Sequence, residues 1–218
     1  MSAIHLAGTA QAGHLELEVD LSVEPGETVA LLGPNGAGKT SLLRILTGLL
    51  PLTRGHLDLS DHAADVPDAG VFAEPHKRPI GWVPQDRLLF PHLTVKQNVG
   101  FSPRARPERV DQLLEVLDIT ELADRRPSSC SGGQAQRVAL ARAVATEPEV
   151  LLLDEPSAAL DIDSRHLIDS LLEDRGDRAT LLVTHDPVEA ATTADRIIIL
   201  ENGRITQSGN PSEVRTRP

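Results

Sequence analysis

The sequence predicts an α/β fold with a mostly parallel core sheet, and three observations support this. Short apolar runs alternate with segments of helical spacing in the C-terminal half of the chain. Two of these runs, at residues 150–153 and 180–184, are apolar almost throughout, as strands buried on both faces are. A third, at residues 28–33, leads into a Gly-rich turn and then a helical pattern. Such alternation of strand and helix is typical of a parallel sheet covered on both faces.

The N-terminal third adds a strand of a different kind. At residues 15–23, Leu and Val alternate with acidic and polar residues, which predicts a strand with one wet face, as in an antiparallel edge sheet. The other N-terminal predictions are a buried strand at residues 28–33, a helix at 39–50, a short edge strand at 56–59, a loop at 61–79 and a strand at 79–85.

The central block, residues 86–130, is predicted to be mostly helical, with residues 108–119 as its clearest helix. After it come a helix at 131–146, a strand at 150–153, a helix at 163–174, a strand at 180–184, a helix at 187–195 and a hairpin of strands 196–200 and 204–208. We therefore expect one domain over residues 1–218. In it, residues 1–85 and 146–218 would form the core with its antiparallel edge, and 86–145 a helical subdomain.

Composition excludes several classes of protein. The net charge is −11, which argues against nucleic acid as a partner, because phosphate contacts need a basic surface. The single cysteine, Cys130, leaves no internal disulfide and fits a reducing compartment. The sequence has neither an apolar run long enough to span a bilayer nor a signal-peptide pattern at its start, so any membrane role is expected to come through a partner.

A phosphate-binding loop is the clearest motif. Gly33 and Gly38, followed by Lys39 and Thr40, match the P-loop pattern between a predicted strand and a predicted helix. Backbone N–H groups would cradle the phosphates, the lysine would reach the β- and γ-phosphates, and Thr40 would ligate Mg²⁺. The alternative is a Gly-rich turn without a ligand. The residues expected to contact the nucleotide are Gly33, Pro34, Asn35, Gly36, Ala37, Gly38, Lys39, Thr40 and Ser41.

A magnesium and water-activating site is predicted where other strands end. Asp154 follows a buried strand and is placed to hold Mg²⁺, while Glu155 is the natural general base for the attacking water. Gln85 and His185 each follow a predicted strand; a Gln there can contact Mg²⁺ and orient water, and a His can hydrogen-bond the γ-phosphate. Considered alone, each of the four is more often an ordinary polar residue at a strand end.

A second helix start has the features of an anion site. Ser131 is a good N-cap, and Gly132 and Gly133 would keep the backbone close to a ligand, with Gln134 next in the chain. The alternative is simply a capped helix.

These five motifs, in this order, resemble the nucleotide-binding subunits of ATP-binding cassette (ABC) transporters, over roughly residues 2–212. The resemblance implies ATP and Mg²⁺ as cofactors and a head-to-tail homodimer in which each ATP lies between two copies. The residues implied to contact the partner's nucleotide are Ser131, Gly132, Gly133, Gln134 and Asp161.

Three positions depart from that family's usual pattern. Cys130 stands where the family has Leu, which should change little because Cys is a small hydrophobe. Ala158 stands where the family usually has Ser, so one hydrogen bond across the dimer is in doubt. No aromatic residue precedes Phe72, and the usual adenine-stacking position falls near Ala10, so we expect modest ATP affinity and loose base selectivity.

The segments 79–85 and 89–95 further resemble bacterial importers, most closely the molybdate type and less closely the sulfate, thiamine, iron(III) and polyamine types. The resemblance implies an integral-membrane permease docked near residues 86–98, a periplasmic or extracellular substrate-binding protein, and a location at the cytoplasmic face of the membrane. With the sequence ending at Pro218, no C-terminal regulatory β-domain is expected.

The same motifs fit other functions. The chain could serve an importer of another substrate, or be a soluble non-transport ABC ATPase such as an iron–sulfur assembly ATPase. Export also stays open. A small-molecule kinase is disfavoured, because it gives no role to Ser131 or His185.

Overall fold

The computed structural model describes residues 2–158 and 176–214. Within them, eleven strands form one sheet. The strands are β1 (Ile4–Ala12), β2 (Leu15–Val23), β3 (Thr28–Leu32), β4 (Arg54–Leu59), β5 (His62–Val66), β6 (Val71–Phe72), β7 (Ile80–Val83), β8 (Val150–Asp154), β9 (Ala179–Val183), β10 (Arg196–Glu201) and β11 (Arg204–Gly209). The α-helices in the described part are α1 (Lys39–Thr47), α2 (Val95–Val99), α3 (Pro107–Val116), α4 (Gly132–Val144) and α5 (Pro187–Thr193).

The sheet has a parallel half and an antiparallel half. Its strand order is β6-β5-β4-β1-β2-β11-β10-β3-β9-β8-β7. From β10 to β7 every neighbouring pair is parallel, whereas β1 pairs antiparallel with both β2 and β4, and β4 with β5. The α/β class with a mostly parallel core and an antiparallel edge is therefore confirmed.

Both faces of the parallel half are covered, as its apolar strands require. Alternate residues of β3 show this: Val29 and Leu31 pack with α1, and Ala30 and Leu32 pack with α5. On the α5 side of the sheet, residues of α2, α3 and α4 pack against Leu151 and other apolar side chains of β7–β9. Each fully buried Leu or Val here stabilises the fold by about 1.5–3 kcal/mol.

The antiparallel half buries only one face. In β2, Leu17, Val19 and Leu21 are buried and the acidic residues between them are exposed, as the alternating pattern predicts. The inner face joins the same core cluster as α1. Buried within this half is Arg78, whose guanidinium donates to the carbonyl oxygens of Ile45 and Leu46 at the end of α1, at 2.8 and 2.7 Å.

Two stretches differ from the sequence prediction. Residues 61–79, expected to be a loop, form β5 and β6 with short 3₁₀ turns, because β5 pairs with β4 and buries Ala64 and Asp65. Residues 86–130 are less helical than expected: α2 has five residues, and much of the block consists of turns and 3₁₀ segments. Strand β1 was not predicted at all.

The other predicted elements are present with shifted ends. The helix expected at 108–119 runs over Pro107–Val116, and that expected at 131–146 runs over Gly132–Val144. The helix expected at 163–174 lies outside the described residues. The division into a core and a helical subdomain at 86–145 stays a prediction. Among the described helices, none is long and apolar enough to cross a membrane.

Candidate functional site

Four neighbouring strands bring the predicted motifs to one edge of the sheet. In the order β3-β9-β8-β7, the chain leaves β3 into the loop 33–38, β9 toward His185, β8 at Asp154 and Glu155, and β7 toward Gln85. Because these strands are parallel, their carboxyl ends lie at the same edge, where open α/β sheets bind ligands.

The phosphate-binding loop is held in a shape that its glycines require. Gly38, with φ of 108°, is the N-cap of α1, in a backbone region that L-residues rarely adopt. Gly33 has φ of 152°, and a Cβ there would lie 2.1 Å from the carbonyl oxygen of Leu200. The loop therefore packs its backbone directly against β10 and leads into the N-terminus of α1, where the helix dipole favours an anion.

Lys39 lies folded over this loop. Its Nζ donates to the carbonyl oxygens of Gly33 at 2.7 Å and Pro34 at 3.0 Å. Burial lowers the pKa of Lys39, and the nearby charges of Glu155 and Asp154 oppose that shift. The ammonium thus lies between the loop backbone and the two carboxylates, within the space that phosphates would share.

Asp154 and Thr40 form an oxygen-rich pair beside the loop. Asp154 is 3% exposed, and the hydroxyl of Thr40 lies 3.4 Å from its Oδ2. Burial raises the pKa of Asp154, with the Thr40 hydrogen bond acting in the opposite direction. A buried carboxylate with one long hydrogen bond and a hydroxyl beside it fits Mg²⁺, which takes oxygen ligands and would offset the cost of the buried charge.

Glu155 occupies a strained backbone position. Its φ is 52°, a left-handed conformation that costs a residue with a Cβ about 1–3 kcal/mol, and its N–H donates to the carbonyl oxygen of Val183 at 2.9 Å. Such strain is maintained only when the surroundings determine it, and it gathers at functional sites. Here it turns the chain sharply after β8, so that consecutive carboxylates serve different partners.

Gln85 and His185 meet at Glu155. The amide Nε2 of Gln85 lies 3.4 Å from Glu155 Oε2, and His185 Nδ1 lies 3.4 Å from Glu155 Oε1. The side chain of His185 is 70% exposed and that of Glu155 is 20% exposed. The imidazole therefore faces solvent, whereas the carboxylate is partly enclosed. The structure thus brings together three side chains that are separated by seventy and thirty residues in the chain. The expected roles of Gln85, contact with Mg²⁺ and orientation of the attacking water, stay predictions.

Glu189 joins two of these loops and was missed by the sequence prediction. Its carboxylate accepts hydrogen bonds from the hydroxyls of Ser157 and Thr184. One hydroxyl follows Glu155 in the chain and the other precedes His185, so a single carboxylate on α5 holds both loops. Glu189 is four residues after His185, and only a tertiary contact distinguishes it from a solvated helix residue.

Ser131 begins α4 in a capping box. Its Oγ accepts from the N–H of Gln134 at 3.2 Å, and the Gln134 side chain accepts from the N–H of Ser131 at 2.8 Å. Ser131 and Gly132 are exposed. Ser131 therefore caps the helix, as the interpretation without a ligand requires. The start of the helix is also exposed, so a ligand outside the chain can reach it.

Two arginines tie α4 to the segment after Gln85, and neither was predicted. Arg142 donates to the carbonyl oxygens of Arg87 at 2.6 Å and Leu88 at 2.7 Å, and Arg87 donates to that of Gly132 at 3.1 Å. Both Arg87 and Leu88 have positive φ, 60° and 46°. Burial lowers the pKa of the Arg142 guanidinium. The arginine pair holds a strained turn against both ends of α4.

Asp161 lies outside the described residues. Ala10, at the usual adenine-stacking position, is 1% exposed within β1, so it offers no surface to a base.

Comparison with known proteins gives a consistent family. A family model described as ABC transporter matches residues 17–158. The chain is 44% identical over 216 residues to the molybdenum import ATP-binding protein ModC of Mycobacterium tuberculosis, and 46% identical over 208 residues to the Fe(3+) ions import ATP-binding protein FbpC 2 of Rhodococcus jostii. These matches cover 93% and 92% of this chain but 58% and 59% of the relatives, so the chain spans about three fifths of their length.

A solved structure of an ABC transporter cassette has the same fold as this chain. The dimeric structure of MJ0796, a bacterial ABC transporter cassette, matches with a TM-score of 0.80 and 29% identity, covering 95% of this chain and 98% of that one.

Proposed function

This chain belongs to the ABC transporter family, and from that premise we propose that it is the ATP-hydrolysing subunit of a membrane importer. The observation that carries the hydrolysis proposal is the meeting of Gln85 and His185 at Glu155, beside the phosphate-binding loop. A binding module without catalysis has no need of a general base placed there.

Nucleotide binding would use the loop 33–41. The backbone N–H groups and the start of α1 attract the phosphates, and Lys39 would exchange its two carbonyl partners for phosphate oxygens, which are stronger acceptors for an ammonium. Thr40 and Asp154, with Gln85 nearby, would hold Mg²⁺, which supplies charge neutralisation at the phosphates.

Hydrolysis would depend on Glu155. Its carboxylate accepts the proton of a water molecule as that water's oxygen bonds to the γ-phosphorus and the bond to the bridging oxygen breaks. Gln85 orients the water through its amide, and His185 donates a hydrogen bond to the γ-phosphate. The strained backbone at Glu155 keeps this carboxylate apart from Asp154, so that one binds the metal and the other accepts the proton.

A second copy of the chain would complete each site. Ser131, Gly132, Gly133 and Gln134, together with Asp161, are proposed to contact the nucleotide bound by the partner. Support comes from the exposed start of α4 in this chain and from the dimeric structure that the chain matches. ATP would then close a homodimer, and hydrolysis would open it.

The transport partners are proposed from the relatives. The helical segment 86–145 would receive an integral-membrane permease at residues 86–98, on the cytoplasmic face of the membrane, with a substrate-binding protein on the other side. The import ATP-binding proteins among the relatives favour this over a soluble assembly ATPase. Molybdate is our proposed substrate, because one relative is a molybdenum import protein; the Fe(3+) relative makes iron the next candidate.

Steady-state ATP hydrolysis by Glu155→Gln tests the catalytic proposal. We expect turnover to fall by about a hundredfold or more, because a positioned general base contributes about 10²–10⁴. ATP affinity should stay within a few-fold of wild type. The matched control is Glu115→Gln, an exposed carboxylate on α3 that should change neither quantity. Near-normal turnover by Glu155→Gln would remove Glu155 from the role of base.

The substrate needs a separate experiment. Cellular molybdenum would be measured in a strain lacking this gene, grown at limiting molybdate and complemented with wild type or with Glu155→Gln. We expect molybdenum to fall and only wild type to restore it. Unchanged molybdenum with lowered iron would move the proposal to iron(III).

A further inference from the structure

Two histidines and an aspartate, residue types that can ligate a metal, lie together on the outer face of the antiparallel half, away from the nucleotide site. They are His5 on β1 and His56 and Asp58 on β4. The strand register places them there, because His5 is opposite Asp58 and Ala7 is opposite His56. Their sequence neighbours Ile4, Leu6, Leu57 and Leu59 are buried on the other face of the sheet.

The distances suit a tetrahedral metal ion. His56 Nε2 and His5 Nδ1 are 3.3 Å apart, and His5 Nδ1 is 3.8 Å from Asp58 Oδ2, with all three ligand atoms within 4.8 Å of one another. Two imidazole nitrogens bound to one Zn²⁺ at about 2.0–2.1 Å lie about 3.3–3.4 Å apart in a tetrahedron. The histidine pair therefore has the required spacing, and the carboxylate needs to approach by about an ångström, within the reach of a rotamer adjustment.

The surroundings hold the ligands without enclosing them. The ladder between β1 and β4 fixes the three Cα positions, and a bulge between Leu57 and Asp58 in the pairing with β5 lies directly beside the ligand pair. The side chains of His5 and Asp58 are 45% and 37% exposed, which leaves a position open to solvent.

Charge at this face is mixed. Asp20 on β2 lies diagonally from His5, since Ser22 is opposite His5, and contributes negative charge toward a cation. Arg54 lies two residues before His56 on β4 and contributes positive charge. Glu18 forms an ion pair with Arg204, so that pair adds no net charge. The ligand set rather than the field would therefore determine binding.

We propose that His5, His56 and Asp58 bind a divalent first-row transition metal, with Zn²⁺ as the expected ion and a water molecule as fourth ligand. Two imidazoles and a carboxylate are a ligand set that Zn²⁺ accepts, and hard ions such as Mg²⁺ do not favour imidazole. The ion would join β1 to β4 and so stabilise the antiparallel half. This proposal does not depend on ATP hydrolysis.

The competing explanation is a histidine pair that shares one N–H on a wet sheet face and binds nothing. The two explanations require different protonation of the facing nitrogens. A metal ion needs a lone pair on both Nδ1 of His5 and Nε2 of His56, whereas a hydrogen bond between the histidines needs a hydrogen on one of these atoms.

Metal titration of nucleotide-free, chelator-treated protein decides between them. Zn²⁺ would be followed by calorimetry, and Co²⁺ by its visible ligand-field absorption, which is intense only in four-coordinate sites. We expect one ion per chain at this site and an affinity at least about tenfold weaker in His5→Asn and in His56→Gln, because each removes one of three protein ligands. The matched control, His62→Gln, changes an exposed histidine on the neighbouring strand β5 and should keep wild-type affinity.

Thermal unfolding with and without Zn²⁺ gives a second readout that does not use activity. The wild type and His62→Gln should gain thermal stability with Zn²⁺, and the two cluster variants should gain less, since a ligand that binds only the folded state stabilises it. Equal Zn²⁺ affinity and equal stabilisation in wild type, His5→Asn and His56→Gln would overturn the proposal. So would the lack of any tetrahedral Co²⁺ spectrum in the wild type.

Discussion

The parallel and antiparallel halves of the sheet differ in where they bring polar side chains together. In the parallel half, neighbouring strands end at one edge, so Lys39, Asp154, Glu155 and the side chains after β7 and β9 converge although they are distant in sequence. In the antiparallel half, successive strands run in opposite directions, so no single edge gathers their ends. Polar side chains instead gather on the wet face or, like Arg78, within the core.

The two halves are expected to respond differently to substitution. The reactive groups of the parallel half lie at the ends of strands and helices and on the adjoining loops, two of which are joined by the hydrogen bonds from Ser157 and Thr184 to Glu189. In the antiparallel half, the buried guanidinium of Arg78 ties the end of α1 to the strands around it. Substitutions at the reactive groups of the parallel half should change catalysis and leave the stability of the fold nearly unchanged. Substitutions of buried polar groups in the antiparallel half should lower stability and leave catalysis nearly unchanged.

The largest expected effect is on stability, from Arg78→Met. Arg78 is 4% exposed and donates to the carbonyl oxygens of Ile45, Leu46 and Ala73 at 2.7–2.9 Å. Its loss removes the guanidinium donor from the carbonyl oxygens of Leu46 and Ala73 and leaves that of Ile45 with only the N–H of Gly48. We expect the free energy of unfolding to fall by about 2–4 kcal/mol in urea titration.

The control for this change is Arg54→Met, at an exposed position of β4, where the effect should stay within about 0.5 kcal/mol. ATP turnover per folded Arg78→Met molecule should match wild type. A variant that is stable but catalytically dead would break the proposed separation of the two halves.

The next effect is on nucleotide binding, from Lys39→Ala. Removing the ammonium that lies over the phosphate loop should weaken ATP binding about 10–100-fold, since a hydrogen bond from a charged group contributes about 1.5–3 kcal/mol. Fluorescent-nucleotide titration measures the affinity, and urea titration should show nearly unchanged stability. Retained tight ATP binding would contradict the role of Lys39.

The smallest predicted effect comes from Arg142→Lys. A lysine cannot span the carbonyl oxygens of Arg87 and Leu88, so the turn after Gln85 should loosen. We expect kcat to fall about tenfold through misplacement of Gln85, with the KM for ATP unchanged. A merely structural role would instead lower stability and leave kcat intact. Arg104→Lys, at an exposed position, serves as the control.

Much of the parallel half was predictable because its signals are local. An apolar run, a Gly-rich turn and a helical pattern identify the phosphate loop without any tertiary information, and the apolar run before Asp154 identifies its strand. The convergence of Gln85 and His185 on Glu155 follows from parallel strands ending at one edge.

What the sequence did not show depends on tertiary contacts. Strand β1 consists of small or polar residues from Ala7 onward, so its sequence shows no clear alternation of apolar and polar residues. Residues 61–79 are rich in Pro, Ala and Asp, which is typical of a loop, and only the pairing with β4 makes strands of them. Arg87 and Arg142 act through hydrogen bonds to groups 45 and 55 residues away in the chain, and Glu189 acts through one from Ser157, 32 residues away. No spacing rule predicts these contacts.

The central claim is that each nucleotide site needs the Ser131 helix of a second copy. Light scattering of Glu155→Gln with ATP and Mg²⁺ tests it most directly. The claim predicts a particle of twice the 23.4 kDa chain mass, formed only with ATP, and a monomer when Ser131→Arg is added in the same chain. A Glu155→Gln protein that binds ATP and stays monomeric at every concentration would contradict it.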